Sequence, residues 1–137
     1  MSIEDRGSTI PLILGFFVIA LLAVAGSVAL GDAFVQQRDV QDACDGAAAA
    51  AAATAIELRS DTEADDLPLG DVDAAVRDYL ARDPDRTHLH VRATFSPDRT
   101  RVTMHCSEQR VLAFGATFGL PTITHTATST ARARARG

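Results

Sequence analysis

The chain has 137 residues, enough for one domain, and 47% of them are hydrophobic. A formal net charge of −5 excludes the basic footprint of a nucleic-acid binder. An aromatic content of 5%, with no tryptophan, argues against a stacking platform or a large aromatic pocket.

The first element is apolar. No charged residue lies between Arg6 and Asp32, and Ile10 to Leu30 is almost wholly hydrophobic. At about 1.5 Å rise per residue, this stretch spans the roughly 30 Å hydrocarbon core of a bilayer as a helix. A helix also pairs every backbone group internally, as lipid requires. A cleaved secretory signal is the main rival reading, with Ala23-Val24-Ala25 and Ala29-Leu30-Gly31 as tempting sites. The acidic start Glu4-Asp5-Arg6 and the length of the apolar run argue against it.

Ser8 or Thr9 can cap this helix, and Pro11 suits its first turn. From Asp32 to Leu58 there is no proline, and Ala47 to Ala53 is pure alanine, the best helix former. One helix is therefore expected from about Ile10 to about Leu58, with Gly31 and Gly46 as candidate bends. Val40, Ala43, Cys44, Ala47, Ala48 and Ala51 fall on one face, and their small side chains invite close packing.

An acidic loop with Pro68 and Gly70 follows, from Asp61 to Asp71. Asp61, Glu63, Asp65 and Asp66 lack the spacing of an EF-hand and read as a solvated surface. A short helix is expected over Val72 to Arg82, with Val72, Ala75, Val76, Tyr79 and Leu80 on one face, ended by Asp83-Pro84-Asp85. His88 to Phe95 and Arg101 to Cys106 alternate apolar and polar residues about the turn Ser96-Pro97-Asp98-Arg99, which predicts a hairpin. Val111 to Pro121 is apolar and reads as a loop over the core, with contact to a membrane surface as the alternative. Thr122 to Arg136 alternates again, its first half as a third strand and its Arg-rich end as an exposed tail.

These elements predict an α+β chain. A long transmembrane helix continues into the spine of a small domain with a short helix and an antiparallel sheet of about three strands. The expected division is a short N-terminal segment (1–9), a transmembrane helix (10–30), its extramembrane continuation (31–60) and a small α+β domain with an Arg-rich tail (61–137).

Candidate chemistry is sparse. No phosphate-binding glycine loop, CxxC or HExxH motif is present, and neither cysteine has a neighbour suited to a catalytic pair. His88, His90 and His105 are the best ligand set for a metal such as zinc, on the solvent face of the hairpin. Cys44 on the helix stripe and Cys106 on the apolar strand face are candidates for a disulfide in an oxidising compartment. Ala23, Ser27 and Gly31 recur at four-residue spacing, a small-residue stripe on which another membrane helix can pack.

The order of motifs resembles the TadE/TadG-like proteins, pseudopilin-like components of the tight-adherence (Flp-type) pilus system. The resemblance rests on Asp5-Arg6-Gly7-Ser8-Thr9-Ile10-Pro11-Leu12, the apolar helix, and Gln41, Asp45, Ala47 and Ala48 in the segment after it. It covers residues 5–58 best, with weaker support from Ala127 to Arg132. It implies a non-enzymatic component of a pilus or secretion-type assembly system, without cofactors, whose partners are the membrane and other pilus-assembly or pseudopilin subunits. Gly7 is then the candidate processing point, although Leu12 stands where many pilin-type precursors carry a glutamate. The weak excess of positive charge at Arg6 places the N-terminus in the cytoplasm and the C-terminal domain outside. A membrane-anchored ligand- or metal-binding envelope module is the alternative.

Overall fold

The computed structural model describes residues 9–61, 69–98 and 100–132. Helix α1 runs without a break over Thr9–Asp61, about 80 Å at helical rise. Helix α2 (Leu69–Ala81) leads through a 3₁₀ turn (Pro84–Arg86) into strands β1 (His90–Phe95), β2 (Arg101–Val111) and β3 (Thr122–Arg132). A second 3₁₀ turn, Gly115–Phe118, lies between β2 and β3. The sheet is antiparallel in the order β1-β2-β3. The chain is thus α+β, as its patterning predicts.

One face of the sheet lies on the helices. The stripe Val40, Ala43, Cys44, Ala47, Ala48, Ala51 and Ala55 is buried along α1, and Val102, Met104 and Cys106 of β2 face it. Alanine at these positions lets the sheet lie close to the helix axis, so the layer of side chains between them is thin. Helix α2 adds Val72 and Val76, and β1 adds half-buried Val91, Ala93 and Phe95. One wall of the core therefore belongs to α1 itself, from about Val40 to Ala55.

At Gly46 a side chain of α2 lies close against α1. A Cβ there would lie 2.5 Å from Cζ of Tyr79. The glycine expected as a bend instead makes room for the tyrosine ring, within an uninterrupted helix. The same phenol group is held by Arg86, whose Nη1 donates to its oxygen at 3.1 Å. Arg86 is also paired with Asp83 at 2.9 Å.

Strand β2 is longer than its apolar alternation suggests. It continues five residues beyond Cys106, and this extension is paired throughout with Thr122–Thr126 of β3. Glu108 and Arg110 thereby fall on the inner face, where Val102, Met104 and Cys106 stand higher up.

The apolar connection from Val111 to Pro121 does not cover the core. Val111, Phe114, Phe118 and Leu120 are exposed, and Gly115 alone in this segment is buried. The connection packs instead beside α1, with the Phe118 ring 3.9 Å from where a Gly26 Cβ would lie.

Candidate functional site

The lower part of α1 has the properties of a surface meant for lipid or for other helices. Its apolar window is long enough to cross a membrane, and only 6% of that window is buried. Ile10, Phe16, Phe17 and Leu30 are exposed, and none of the described residues covers them. Within this region the Ser27 hydroxyl donates to the Ala23 carbonyl at 2.8 Å. The one polar side-chain group of the small-residue stripe is thus satisfied inside its own helix. Ala23, Ser27 and Gly31 are all exposed, and a Cβ added at Gly31 would meet nothing within 4 Å.

Above the window, the base of the head is a polar network that the alternation of β2 and β3 conceals. Gln36 donates its amide to Asp32 Oδ2 at 3.0 Å and to the Val111 carbonyl at 3.1 Å. Gln37 donates to the Thr126 carbonyl at 2.8 Å. With their nitrogens committed, both glutamines turn their oxygens to His125: Nδ1 lies 3.0 Å from Gln37 Oε1, and Nε2 lies 3.2 Å from Gln36 Oε1. His125 is buried and stands opposite buried Glu108 in the strand register. The Glu108 carboxylate accepts from Arg110 Nε at 3.0 Å, and Arg110 Nη2 reaches Asp39 on α1 at 2.7 Å. Hydrogen bonding to Glu108, opposed by partial burial and aided by attraction to Glu108 and Asp39, raises the Arg110 pKa above its ordinary value. The guanidinium therefore stays charged. Among the described residues, every buried side-chain nitrogen and oxygen has a partner.

This network fixes the head to the helix at the level where the apolar run ends. A second fixture is covalent. Cys44 of α1 and Cys106 of β2 are joined in a disulfide, with Cα atoms 5.9 Å apart and both residues buried in the core.

The outer face of the sheet is uncovered and rich in hydroxyls. Thr103 and Thr130 meet across the strands at 3.0 Å, and Thr94 donates to the Thr103 carbonyl at 3.2 Å. Such cross-strand threonine pairs stabilise a solvated sheet surface. His90 and His105 lie on this face, but in register His90 faces Ser107 and His105 faces Arg92. Among the described residues, no three metal-ligating side chains converge, so His88, His90 and His105 do not form the ligand set that their spacing suggests. Glu63, Asp65 and Asp66, like Gly7, lie outside the described residues.

Sequence reasoning did not single out Glu108 or His125. The available signal was the continued alternation of Glu108 and Arg110 in phase with Val102, Met104 and Cys106.

No curated protein and no solved structure matches the chain. A family model described as "Putative Flp pilus-assembly TadE/G-like" matches residues 7–54. The matched segment takes in the membrane-length window and the alanine stripe that carries the core. Over residues 7–54, about a third of its length, the chain is thus similar to the TadE/G-like proteins that the family model describes.

Proposed function

We propose that this chain is a non-enzymatic, single-pass component of a pilus or secretion-type assembly system, held in the cell membrane by α1 and contributing to assembly or adhesion. One observation carries the reading: the TadE/G-like match coincides with a helix that is bare where a membrane would surround it and buried where a head domain packs. Residues 10–30 cross the bilayer and residues 31–60 rise from it. Residues 61–137 form the rest of the head. The N-terminus is cytoplasmic and the head lies outside. Arg6 supports that orientation, and so does a disulfide of the kind that persists in oxidising compartments. Docking of the Val111–Pro121 connection on Gly26 and Asp32 ties the apolar window into the folded head, which supports its retention in the mature protein. The partners are other pilus-assembly or pseudopilin subunits, met in the membrane along Ala23, Ser27 and Gly31. Gly7 is the candidate point of processing.

Crosslinking within native membranes tests this reading. The wild-type chain should resist extraction by alkaline carbonate and form crosslinks to other pilus-assembly subunits. Ser27→Leu should weaken those crosslinks while extraction stays unchanged, because a bulky side chain keeps helices apart. Release of the wild-type chain by carbonate would refute anchoring, and undiminished crosslinks in the variant would refute the stripe.

A further inference from the structure

We infer that the connection between β2 and β3 is a second membrane contact, an apolar wedge that enters the outer lipid leaflet beside α1. The inference rests on the reading of α1 as a membrane helix. Four independent observations support it.

The first is composition. Between Arg110 and Thr122 there is no charged residue, and Thr117 is the only polar side chain. The second is exposure. Val111 is 73% exposed, Phe114 57% and Leu120 62%, an unusually bare set of large apolar side chains for water.

The third is level. Phe118 lies against Gly26, six residues below Asp32, the first charge after the apolar run. At about 1.5 Å per residue the ring sits roughly 9 Å beneath that charge. Apolar faces of interfacial segments bury to about 5–10 Å. Once α1 is in the bilayer, this position follows, because the connection is not free to swing away. Asp32 Oδ2 accepts from the Ala113 amide at 2.9 Å, and Gln36 holds the Val111 carbonyl. Internally the connection is closed by Leu112 N to Pro121 O at 3.1 Å, Gly115 N to Leu112 O at 2.9 Å and Leu120 N to Gly115 O at 2.8 Å. These bonds pair part of the connection's backbone, and at interfacial depth water stays within reach of the rest.

The fourth is strain. Phe114 has φ of 57°, in the left-handed region that disfavours a bulky side chain. The residue bears this cost while its ring points outward, and strain held at an exposed aromatic is a mark of use rather than of packing. The partner these features fit is acyl chain and headgroup boundary: apolar, without charge, and continuous with the surface α1 already presents.

The native chain has no tryptophan, so a single introduced indole reports its own surroundings. The full-length protein is reconstituted in phosphatidylethanolamine–phosphatidylglycerol vesicles carrying lipids brominated either near the carbonyl end or deep in the acyl chain. Phe118→Trp should emit at short wavelength and be quenched more by the shallow bromines than by the deep ones. Leu120→Trp should behave alike, and it serves if the first variant misfolds. Phe17→Trp, in the middle of the apolar window, should be quenched best by the deep bromines and reports on the anchor alone. If Phe17→Trp is quenched but neither loop indole is, the wedge is overturned and the anchor stands. Quenching of none of the three would overturn both. Blue-shifted loop emission that bromine leaves unquenched would mean that protein covers the patch, which also overturns the assignment to lipid.

Discussion

Replacing Gly46 with alanine should destabilise the head, against the usual rule for a helix. In a helix interior the change from glycine to alanine is worth about 1 kcal/mol of added stability. Here the new methyl would stand 2.5 Å from Tyr79 Cζ, where carbon atoms normally keep about 3.5–4.0 Å. The ring must move away from α1 by about 1 Å or more, which disturbs the bond between its hydroxyl and Arg86. Overpacking of this kind costs about 1–3 kcal/mol, to which loss of the Arg86–Tyr79 hydrogen bond adds about 1 kcal/mol. The net expectation for Gly46→Ala is a loss of about 1–3 kcal/mol, at roughly 4–8 °C in Tm per kcal/mol for a domain of this size. In the Tyr79→Ala background the obstruction is gone, and the same Gly46→Ala change should stabilise by about 1 kcal/mol. Thermal unfolding of the four proteins of this cycle, followed by far-UV circular dichroism of the full chain in detergent, measures the coupling directly. The single tyrosine makes near-UV dichroism of the Gly46→Ala protein a second readout, since that signal comes largely from Tyr79. If Gly46→Ala stabilises the wild-type background, or the coupling is zero, then α2 does not pack on α1 as described.

Reduction of the Cys44–Cys106 bond, with a sequence separation of 62, should lower head stability by about 4 kcal/mol in the chain-entropy account, and the double variant Cys44→Ala/Cys106→Ala should melt near the reduced protein; equal Tm before and after reductant would rule this out. Arg110→Met should cost about 3 kcal/mol in denaturant unfolding because it leaves the buried Glu108 carboxylate unpaired, while Asp39→Asn, at a half-exposed partner, should cost less than about 1 kcal/mol. In the turn after β1, hydrogen bonds from Ser96 first and then Thr100 hold Asp98 at a pKa of about 2, against an ordinary 3.8. A depressed carboxylate adds stability at pH values above the unfolded pKa and loses it as pH falls through the folded one. The turn should therefore persist through pH 4 and loosen near pH 2, which carboxyl-carbon NMR of Asp98 can follow; a midpoint near 4 would contradict the assigned bonds.

The parts of this architecture legible in the sequence are those where one residue type repeats with a period. The alanine stripe of α1 recurs at three and four residues with no proline to interrupt it, and its burial follows from that alone. The hairpin is equally plain, because Val91, Ala93 and Phe95 alternate as Val102, Met104 and Cys106 do. The end of β2 is hidden because Glu108 and Arg110 occupy inner positions as an ion pair. Their compensation by Asp39 comes from 71 residues away. His125 looks like any histidine in a threonine-rich strand until Gln36 and Gln37 are placed against its two nitrogens. Composition marks the Val111–Pro121 connection as apolar but cannot say what it faces. The tethers from Asp32 and Gln36 settle its level beside α1, and they are tertiary facts.

The bond between Cys44 and Cys106 also sets how the molecule bears load. A pull applied at β3 and directed away from the membrane passes along the backbone into β2, reaches Cys106, crosses the sulfur bridge to Cys44 and descends α1. The intervening residues, including all of α2 and β1, form a closed covalent ring in parallel with that short path. Fully extended they would span about 200 Å, and the bridge withholds that slack from any stretching of the chain. Under tension the oxidised protein is therefore a short, stiff link from head to helix. With the bond reduced, the same sequence becomes a long, compliant tether.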